Sequence, residues 1–260
     1  MEDIFKNNKT YYGFQDREIE DEVLKDLYEM IKNNATSFNC QPLRILFIKS
    51  KEAKERLEPF VLDTNKEKTM KAPVTAILAM DLSFYEDLPK NFPAMDVSFL
   101  FKDNLDFTYQ TAFRNSSLQG GYFMKAAHAL GLGTGPMSGF DNNGLDEEFF
   151  KNKNWKSNFL CNLGYGDEKQ TRPRAPRYEF DEIVDDFAEK AFQAGKIQNK
   201  HDDKDVFKRL AALEKDFKGS SVLIHHRGEL KPALANLWGS KKLLDMVENW
   251  VGKDISGHPV

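Results

Sequence analysis

Short apolar runs set between amphipathic helical patterns predict a sheet with helices packed on it, of the α/β or α+β class and not an all-α protein. Residues 43–49 (Leu-Arg-Ile-Leu-Phe-Ile-Lys) and 73–80 (Pro-Val-Thr-Ala-Ile-Leu-Ala-Met) are short, apolar and partly β-branched, as strands are. Residues 16–33 place Ile19, Val23, Leu24, Leu27, Tyr28 and Ile31 at the 3-4 spacing of one buried helical face. With 260 residues, 40% hydrophobic content and 21 Phe, the chain can fill the core of one large domain or of a domain with an appendage.

In chain order, the helix over 16–33 is followed by a polar loop over 34–42, the strand 43–49 and a helix over 51–60. The strand 73–80 is central, being apolar throughout. A long helix is expected from Thr111 to Leu130, ending at Gly131 and Gly133. Residues 133–141 (Gly-Thr-Gly-Pro-Met-Ser-Gly-Phe-Asp) read as a glycine-rich loop presenting main-chain N–H groups to a flat ligand. A third strand, 155–164, carries Phe159, Leu160 and Leu163 and closes on Gly164-Tyr165-Gly166-Asp167. Residues 171–177 hold three arginines and two prolines, and helical pattern resumes over 180–192. Beyond a polar, linker-like stretch at 193–205, two amphipathic helices are expected. One presents Phe207, Leu210, Leu213 and Phe217; the other Leu243, Leu244, Val247, Trp250 and Val251, with a strand-like run at 222–226 between them.

Composition narrows the function classes. The net charge of −4 gives no electrostatic reason to expect nucleic acid. Residues from Phe187 onward carry 13 Lys+Arg against 10 Asp+Glu, too mild a surplus for a basic binding tail. Cys40 and Cys161 make neither a disulfide framework nor a zinc site. The first residues are acidic without the apolar run of a signal peptide, and no 18-residue apolar stretch exists. A soluble, cytoplasmic protein with no membrane segment is expected. His128 reads as a packed helix residue. His225 and His226 are adjacent in a strand-like run and point to opposite faces, which argues against a metal pair. Cys40 has no histidine placed by sequence to activate it.

Several separated stretches share one further pattern: Lys9-Thr10 before Phe14; residues 36–42 (Thr-Ser-Phe-Asn-Cys-Gln-Pro); Asn65 with Lys68; Arg114-Asn115-Ser116-Ser117; residues 135–140 (Gly-Pro-Met-Ser-Gly-Phe); and Gly164-Tyr165-Gly166-Asp167 followed by Arg174 and Arg177. In this order and at these distances they resemble the FMN-dependent nitroreductase family over residues 5 to 186. The runs 71–77 and 113–117 are similar to its malonic semialdehyde reductase branch, which forms 3-hydroxypropionate in pyrimidine catabolism.

The resemblance implies an α+β nitroreductase-type fold, a central mixed, largely antiparallel sheet wrapped by helices. It also implies a homodimer with FMN at the subunit interface and NAD(P)H as co-substrate in a ping-pong reaction. Lys9, Thr10, Arg174 and Arg177 would supply cationic and hydroxyl donors to the FMN phosphate. Asn65 would meet the pyrimidine edge, and Lys68 would lie near N1/O2, where negative charge accumulates. The amides of Ser138 and Gly139 would reach N5 and O4, with Pro136 and Met137 against the ring face. Thr36, Ser37 and Asn39 would complete the pocket, some of these residues coming from the partner chain. Phe38, Phe123 and Phe140 could border the substrate space. No catalytic side chain is implied, since hydride is carried by FMN N5. Residues 1–186 are expected to form the FMN-binding domain. Residues 187–260 lie outside the resemblance and are expected to form a mainly helical extension. A broad nitro- or quinone-reducing enzyme and a non-catalytic flavin-binding protein are the alternatives.

Overall fold

The structure, a computed structural model, describes residues 2–183 together with residues 212 and 215. The chain divides between Arg174 and Ala175 into two units. The first opens with helix α1 (Glu2–Lys6) and α2 (Asp21–Ile31), then β1 (Leu43–Ile48), α3 (Lys51–Leu57), α4 (Asp63–Lys71) and β2 (Val74–Asp81). The short α5 (Leu88–Asn91) and α6 (Phe99–Lys102) precede the long α7 (Leu105–Ala129), followed by β3 (Gly133–Met137), α8 (Asn142–Phe150) and β4 (Trp155–Gly164). The second unit shows α9 (Phe180–Ile183) among its described residues. The helices and strand expected within 187–260 lie outside the described residues, apart from residues 212 and 215, which are helical.

The four strands form one sheet in the order β1-β2-β4-β3, with every neighbouring pair antiparallel. A single parallel bridge, Thr10 to Thr134, adds the N-terminal segment at the β3 edge. This is the α+β arrangement expected. All eight residues of β2 are buried, because helices cover both faces of the sheet. Val74, Ala76 and Leu78 pack with Leu24, Leu27, Ile31 and Phe123 of α2 and α7. Ile77 and Ala79 face the other way, toward Leu57, Leu145 and Phe150 of α3 and α8. A strand buried on both faces reads as an unbroken apolar run, which is why it was visible in sequence. Each fully buried Val, Leu or Ile contributes about 1.5–3 kcal/mol.

The structure shifts several expected boundaries. The helix over 16–33 is confined to Asp21–Ile31, because the chain before it is tied to the sheet edge. The Gln15 amide donates to the Tyr165 carbonyl at 2.8 Å, and Phe14 bridges Gly166. The long helix starts six residues before Thr111, where the Asn104 side chain accepts from the Phe107 amide at 3.2 Å and caps it. Its end is a Schellman motif: Gly131 takes φ 77°, its amide donates to the His128 carbonyl, and the Leu132 amide reaches the Ala127 carbonyl.

The largest correction concerns the glycine-rich stretch. Residues 133–137 form an edge strand, not a loop. Pro136, which has no N–H to offer, is tolerated there because the strand is outermost. Gly133 and Gly135 make room for protein. A Cβ at Gly133 would stand 2.7 Å from the Tyr11 ring, and one at Gly135 2.9 Å from the Tyr11 carbonyl. The Tyr11 amide donates to the Thr134 carbonyl at 3.0 Å, so residues 10–14 cover what would be an open edge.

A polar chain runs through the sheet face that carries Thr75. Lys54 of α3 is 4% exposed, and its Nζ donates to the Thr69 carbonyl at 2.7 Å and to Thr75 Oγ1 at 2.5 Å. Thr75 Oγ1 donates to Asn162 Oδ1 at 2.7 Å, and Asn162 Nδ2 reaches Thr69 Oγ1 and the Lys68 carbonyl. Burial pushes the Lys54 amine from its ordinary 10.5 down to about 7. Between those values the unfolded chain holds a proton that the folded chain has released. Stability therefore rises with pH from about 7 to about 10.5, and the penalty is fully present below about 7. The limiting slope is about 1.4 kcal/mol per pH unit. Urea unfolding of wild type and Lys54→Met at about pH 7 and about pH 9 is expected to show wild type gaining on the variant as pH rises. A constant difference would mean that the Lys54 amine keeps its proton when buried.

Candidate functional site

Two cations share one aromatic ring beside the covered sheet edge. The Lys68 ammonium, on α4, lies 5.3 Å from the centroid of the Tyr12 ring, and the Arg172 guanidinium lies 4.3 Å from the same centroid. Neither forms an ion pair with a carboxylate among the described residues. Burial, then the Arg172 charge, hold the half-buried Lys68 ammonium below its usual range. Two unneutralised cations held together raise the local potential and favour an anionic ligand. The ring stabilises both through its quadrupole, by roughly 0.5–1 kcal/mol each at exposed sites.

The same helix carries Asn65, whose Nδ2 donates to the Gly139 carbonyl at 3.1 Å. That carbonyl also accepts from the Leu62 amide at 3.1 Å, so the start of α4 is tied to the turn after β3. In that turn the Ser138 and Gly139 amides donate to no acceptor among the described residues, and Ser138 is exposed. Met137 is buried, its sulfur accepting from Thr69 Oγ1 at 3.4 Å, while Pro136 is half-buried beside it. Asn65, Lys68, Pro136, Met137, Ser138 and Gly139 thus fall in one neighbourhood, and Tyr12 and Arg172 join it. Sequence reasoning passed over the last two. The available signal was the arginine content of 171–177, from which Arg174 and Arg177 were chosen.

Other expected site residues have protein partners. Thr10 is exposed and bridges Thr134. Lys9 forms an ion pair with Glu168, which also accepts from the Tyr11 hydroxyl at 2.6 Å. Burial, then Glu168, push the Tyr11 phenol up to about 12. Arg174 donates to the Lys6 and Asn8 carbonyls, both at 2.8 Å, stapling the N-terminal segment. In the second unit Arg177 donates to the Ala175 and Pro176 carbonyls.

Thr36, Ser37 and Asn39 form a separate group. The Ser37 amide donates to Asn115 Oδ1 of α7 at 2.9 Å, Thr36 Oγ1 accepts from the Gln41 amide, and Asn39 Nδ2 donates to the Asn91 carbonyl. Phe38, Asn39 and Gln41 have φ of 51°, 51° and 41°, a concentration of left-handed backbone. Thr36, Asn39 and Gln41 line an open cleft of about 600 Å³ with Tyr28 and Asn34. A second cleft of about 420 Å³ is lined by Lys9, Tyr11, His128, Gly133 and Glu168. Among the described residues no direct hydrogen bond or ion pair joins the Thr36–Asn39 group to Lys68.

His128 is a packed residue: one ring nitrogen lies 3.0 Å from Thr134 Oγ1, and Nδ1 is buried without a partner. Burial, then Lys125, lower its proton affinity. The Cys40 thiol is buried and pushed up to about 11, unsuited to nucleophilic work. Phe123 and Phe140 are buried in the core, whereas Phe38 is 36% exposed. Among the described residues no group of three His, Cys, Asp or Glu could hold a metal, and no helix is long and apolar enough to cross a membrane. His225 and His226 lie outside the described residues.

Comparison with known proteins gives a consistent result. The family model described as "Nitroreductase family" matches residues 6–165. A protein of Polynucleobacter asymbioticus, provisionally named an NADH dehydrogenase/NAD(P)H nitroreductase, is 50% identical over 182 residues, covering 70% of this chain and 93% of that one. A Burkholderia lata protein with the same provisional name is 47% identical over 184 residues, covering 71% and 94%. Among solved structures, a provisional nitroreductase from Exiguobacterium sibiricum in complex with FMN superposes with a TM-score of 0.63. It is 18% identical and covers 71% of this chain and 95% of that one, a likeness of fold.

Because Arg172 contributes to the lowered proton affinity of Lys68, removing its charge has a signed consequence. Arg172→Ala is expected to raise the Lys68 pKa without restoring the full ordinary value, since burial is the larger cause. Titration of the labelled lysine Cε resonances, with Lys68→Ala to assign the signal, measures this. A Lys68 signal that does not move in Arg172→Ala would separate the two cations.

Proposed function

The chain belongs to the nitroreductase family and is an FMN-dependent NAD(P)H oxidoreductase, and on that premise we propose that it reduces malonic semialdehyde to 3-hydroxypropionate. The single observation that carries the site is the unneutralised pair Lys68 and Arg172 around Tyr12. The substrate assignment is supported by the runs 71–77 and 113–117, similar to the branch with that activity.

Bound FMN supplies the two-electron chemistry linking NAD(P)H to the acceptor. The chain positions it and sets the field around it. Lys68 is assigned to the negative charge that the pyrimidine edge gains, with Arg172 adding to the positive potential. Asn65, fixed by its bond to the Gly139 carbonyl, presents its remaining amide valences at the same edge. The free Ser138 and Gly139 amides are donors for the ring's acceptor atoms, and Pro136 and Met137 offer an apolar surface. Thr10 contributes a hydroxyl to the phosphate. For Lys9 and Arg174 to join it, they exchange Glu168 and the Lys6 and Asn8 carbonyls for phosphate oxygens, and Arg177 would do the same with its own carbonyl partners. Protonation of the product oxygen is assigned to water.

We assign Thr36, Ser37 and Asn39 to the flavin of a partner subunit in a homodimer. Leu105, Tyr109 and Phe113 recur every four residues on α7 and are 81%, 49% and 47% exposed, an apolar stripe that a second copy would cover. Asn115 of the same helix holds Ser37. A broader nitro- or quinone-reducing activity is the second reading, favoured by the names of the relatives.

Heat-released supernatant of the purified protein is expected to contain FMN on chromatography; FAD, or no flavin after reconstitution, would remove the basis of the site. In flavin-replete Lys68→Ala, loss of a charged hydrogen bond of about 1.5–3 kcal/mol lowers the midpoint potential by roughly 30–60 mV, since 30 mV is about 1.4 kcal/mol for a two-electron couple. An unchanged potential would make Lys68 an ordinary helix residue. The substrate reading predicts a higher kcat/KM for malonic semialdehyde than for nitroaromatics or quinones with NADPH or NADH as donor. The reverse order selects the second reading.

A further inference from the structure

Helix α4 has an unusual anchorage for an element that carries site residues. Its sequence, Asp-Thr-Asn-Lys-Glu-Lys-Thr-Met-Lys, offers almost no apolar surface, and its buried residue is Thr69. Hydrophobic packing therefore cannot set its position, and hydrogen bonds at its two ends must do so. At the start these are the bonds of Leu62 and Asn65 to the Gly139 carbonyl. Toward the end they converge on Thr69. Its carbonyl accepts from Lys54 Nζ at 2.7 Å, and its hydroxyl lies between Asn162 Nδ2 and the Met137 sulfur. Asn162 also reaches the Lys68 carbonyl at 3.4 Å. Lys54 holds this cluster to the sheet through Thr75 Oγ1, which in turn fixes Asn162.

We propose that Lys54 is a positioning residue for the flavin site, acting through Thr69, Thr75 and Asn162 to set where Lys68 stands. The proposal rests on the flavin reading of Lys68 above. Lys54 is buried on α3, its amine bonds only the Thr69 carbonyl and Thr75 Oγ1 among the described residues, and its link to Lys68 is indirect, through Thr75 and Asn162 to the Lys68 carbonyl. Its amine is matched to the task. A neutral amine has two N–H bonds, and the two acceptors, the Thr69 carbonyl and Thr75 Oγ1, take both. The low proton affinity caused by burial agrees with that match. The Thr69 carbonyl belongs to the last turn of α4 and has no helical partner of its own, so losing the Lys54 donor leaves it buried and unsatisfied.

The test is a double-mutant cycle on the full-length protein with FMN bound: wild type, Lys54→Met, Lys68→Ala and the double variant. Met keeps the length and apolar stem of the side chain while removing both donors. The readouts are the flavin midpoint potential, by equilibration with an indicator dye, and FMN affinity, by fluorescence titration of the apoprotein. Lys54→Met is expected to disfavour the reduced flavin about tenfold relative to the oxidised form, which is about 30 mV for a two-electron couple. The double variant should match Lys68→Ala, because Lys54 has nothing left to position. An unchanged potential in flavin-replete Lys54→Met, or additive shifts in the double variant, overturns the proposal. If Lys54→Met does not fold, Thr75→Val, which removes the hydroxyl at nearly constant volume, is judged by the same two criteria. A wild-type protein that binds no FMN fails the flavin reading itself, and the proposal falls with it. An unchanged potential in Lys54→Met beside a lowered one in Lys68→Ala leaves that reading standing.

Discussion

Burial of β2 on both faces is the constraint from which the remaining arrangement follows. A strand covered by α2 and α7 on one side and by α3 and α8 on the other tolerates no unpaired polar group. Thr75, the second residue of that strand, is polar and points to the α3 side. Its hydroxyl is therefore satisfied twice, by Lys54 and by Asn162. Those two partners also hold α4, which has too little apolar surface to pack by itself. A demand for hydrogen-bond satisfaction in the core thus decides where a helix with site residues comes to rest.

The opposite logic governs the sheet edge. An exposed edge strand invites pairing with other chains, and β3 avoids it by lying under residues 10–14. That cover brings Tyr12 beside Lys68 and Arg172. Among the described residues several surface cations meet carboxylates, as Lys49 does with Asp21 and Arg56 with Glu148. Lys68 and Arg172 do not, and their mutual repulsion is a cost that an anionic ligand would convert into affinity. Exposed ion pairs contribute only about 0–1 kcal/mol each, so the contrast between paired and unpaired cations concerns binding more than folding stability.

The long α7 links the two halves of the proposed site. Its buried side, with Ala112, Asn115 and Phe123, packs on the sheet and holds the loop at Ser37, while Leu105, Tyr109 and Phe113 remain open to solvent. Tyr109 and Phe113 stack on each other with centroids 6.3 Å apart, which reduces their exposure without removing it. This apolar stripe, with the left-handed backbone at Phe38, Asn39 and Gln41, is the surface that the proposed homodimer would cover.

Much of this was legible in the linear chain. The strand 73–80, the strand 155–164 and the glycine end of α7 stand out because burial on both faces, alternation and helix termination are local patterns. Asn65, Lys68, Ser138 and Gly139 were singled out through the resemblance of the motifs that contain them, and the structure places Asn65 against Gly139. Other features depended on contacts between distant segments. The glycines at 133 and 135 read as a ligand loop, since nothing local reveals that Tyr11 passes within contact distance. Nothing in the linear sequence marks Lys54, because its burial depends on Thr75 and Thr69 in two other elements. The choice among the arginines of 171–177 fell on Arg174 and Arg177, whereas Arg172 is the one that reaches Tyr12. Sequence by itself determined the element types and the chemistry available. Tertiary structure decided which charges stay unpaired, because pairing is settled by distances between residues far apart in the chain.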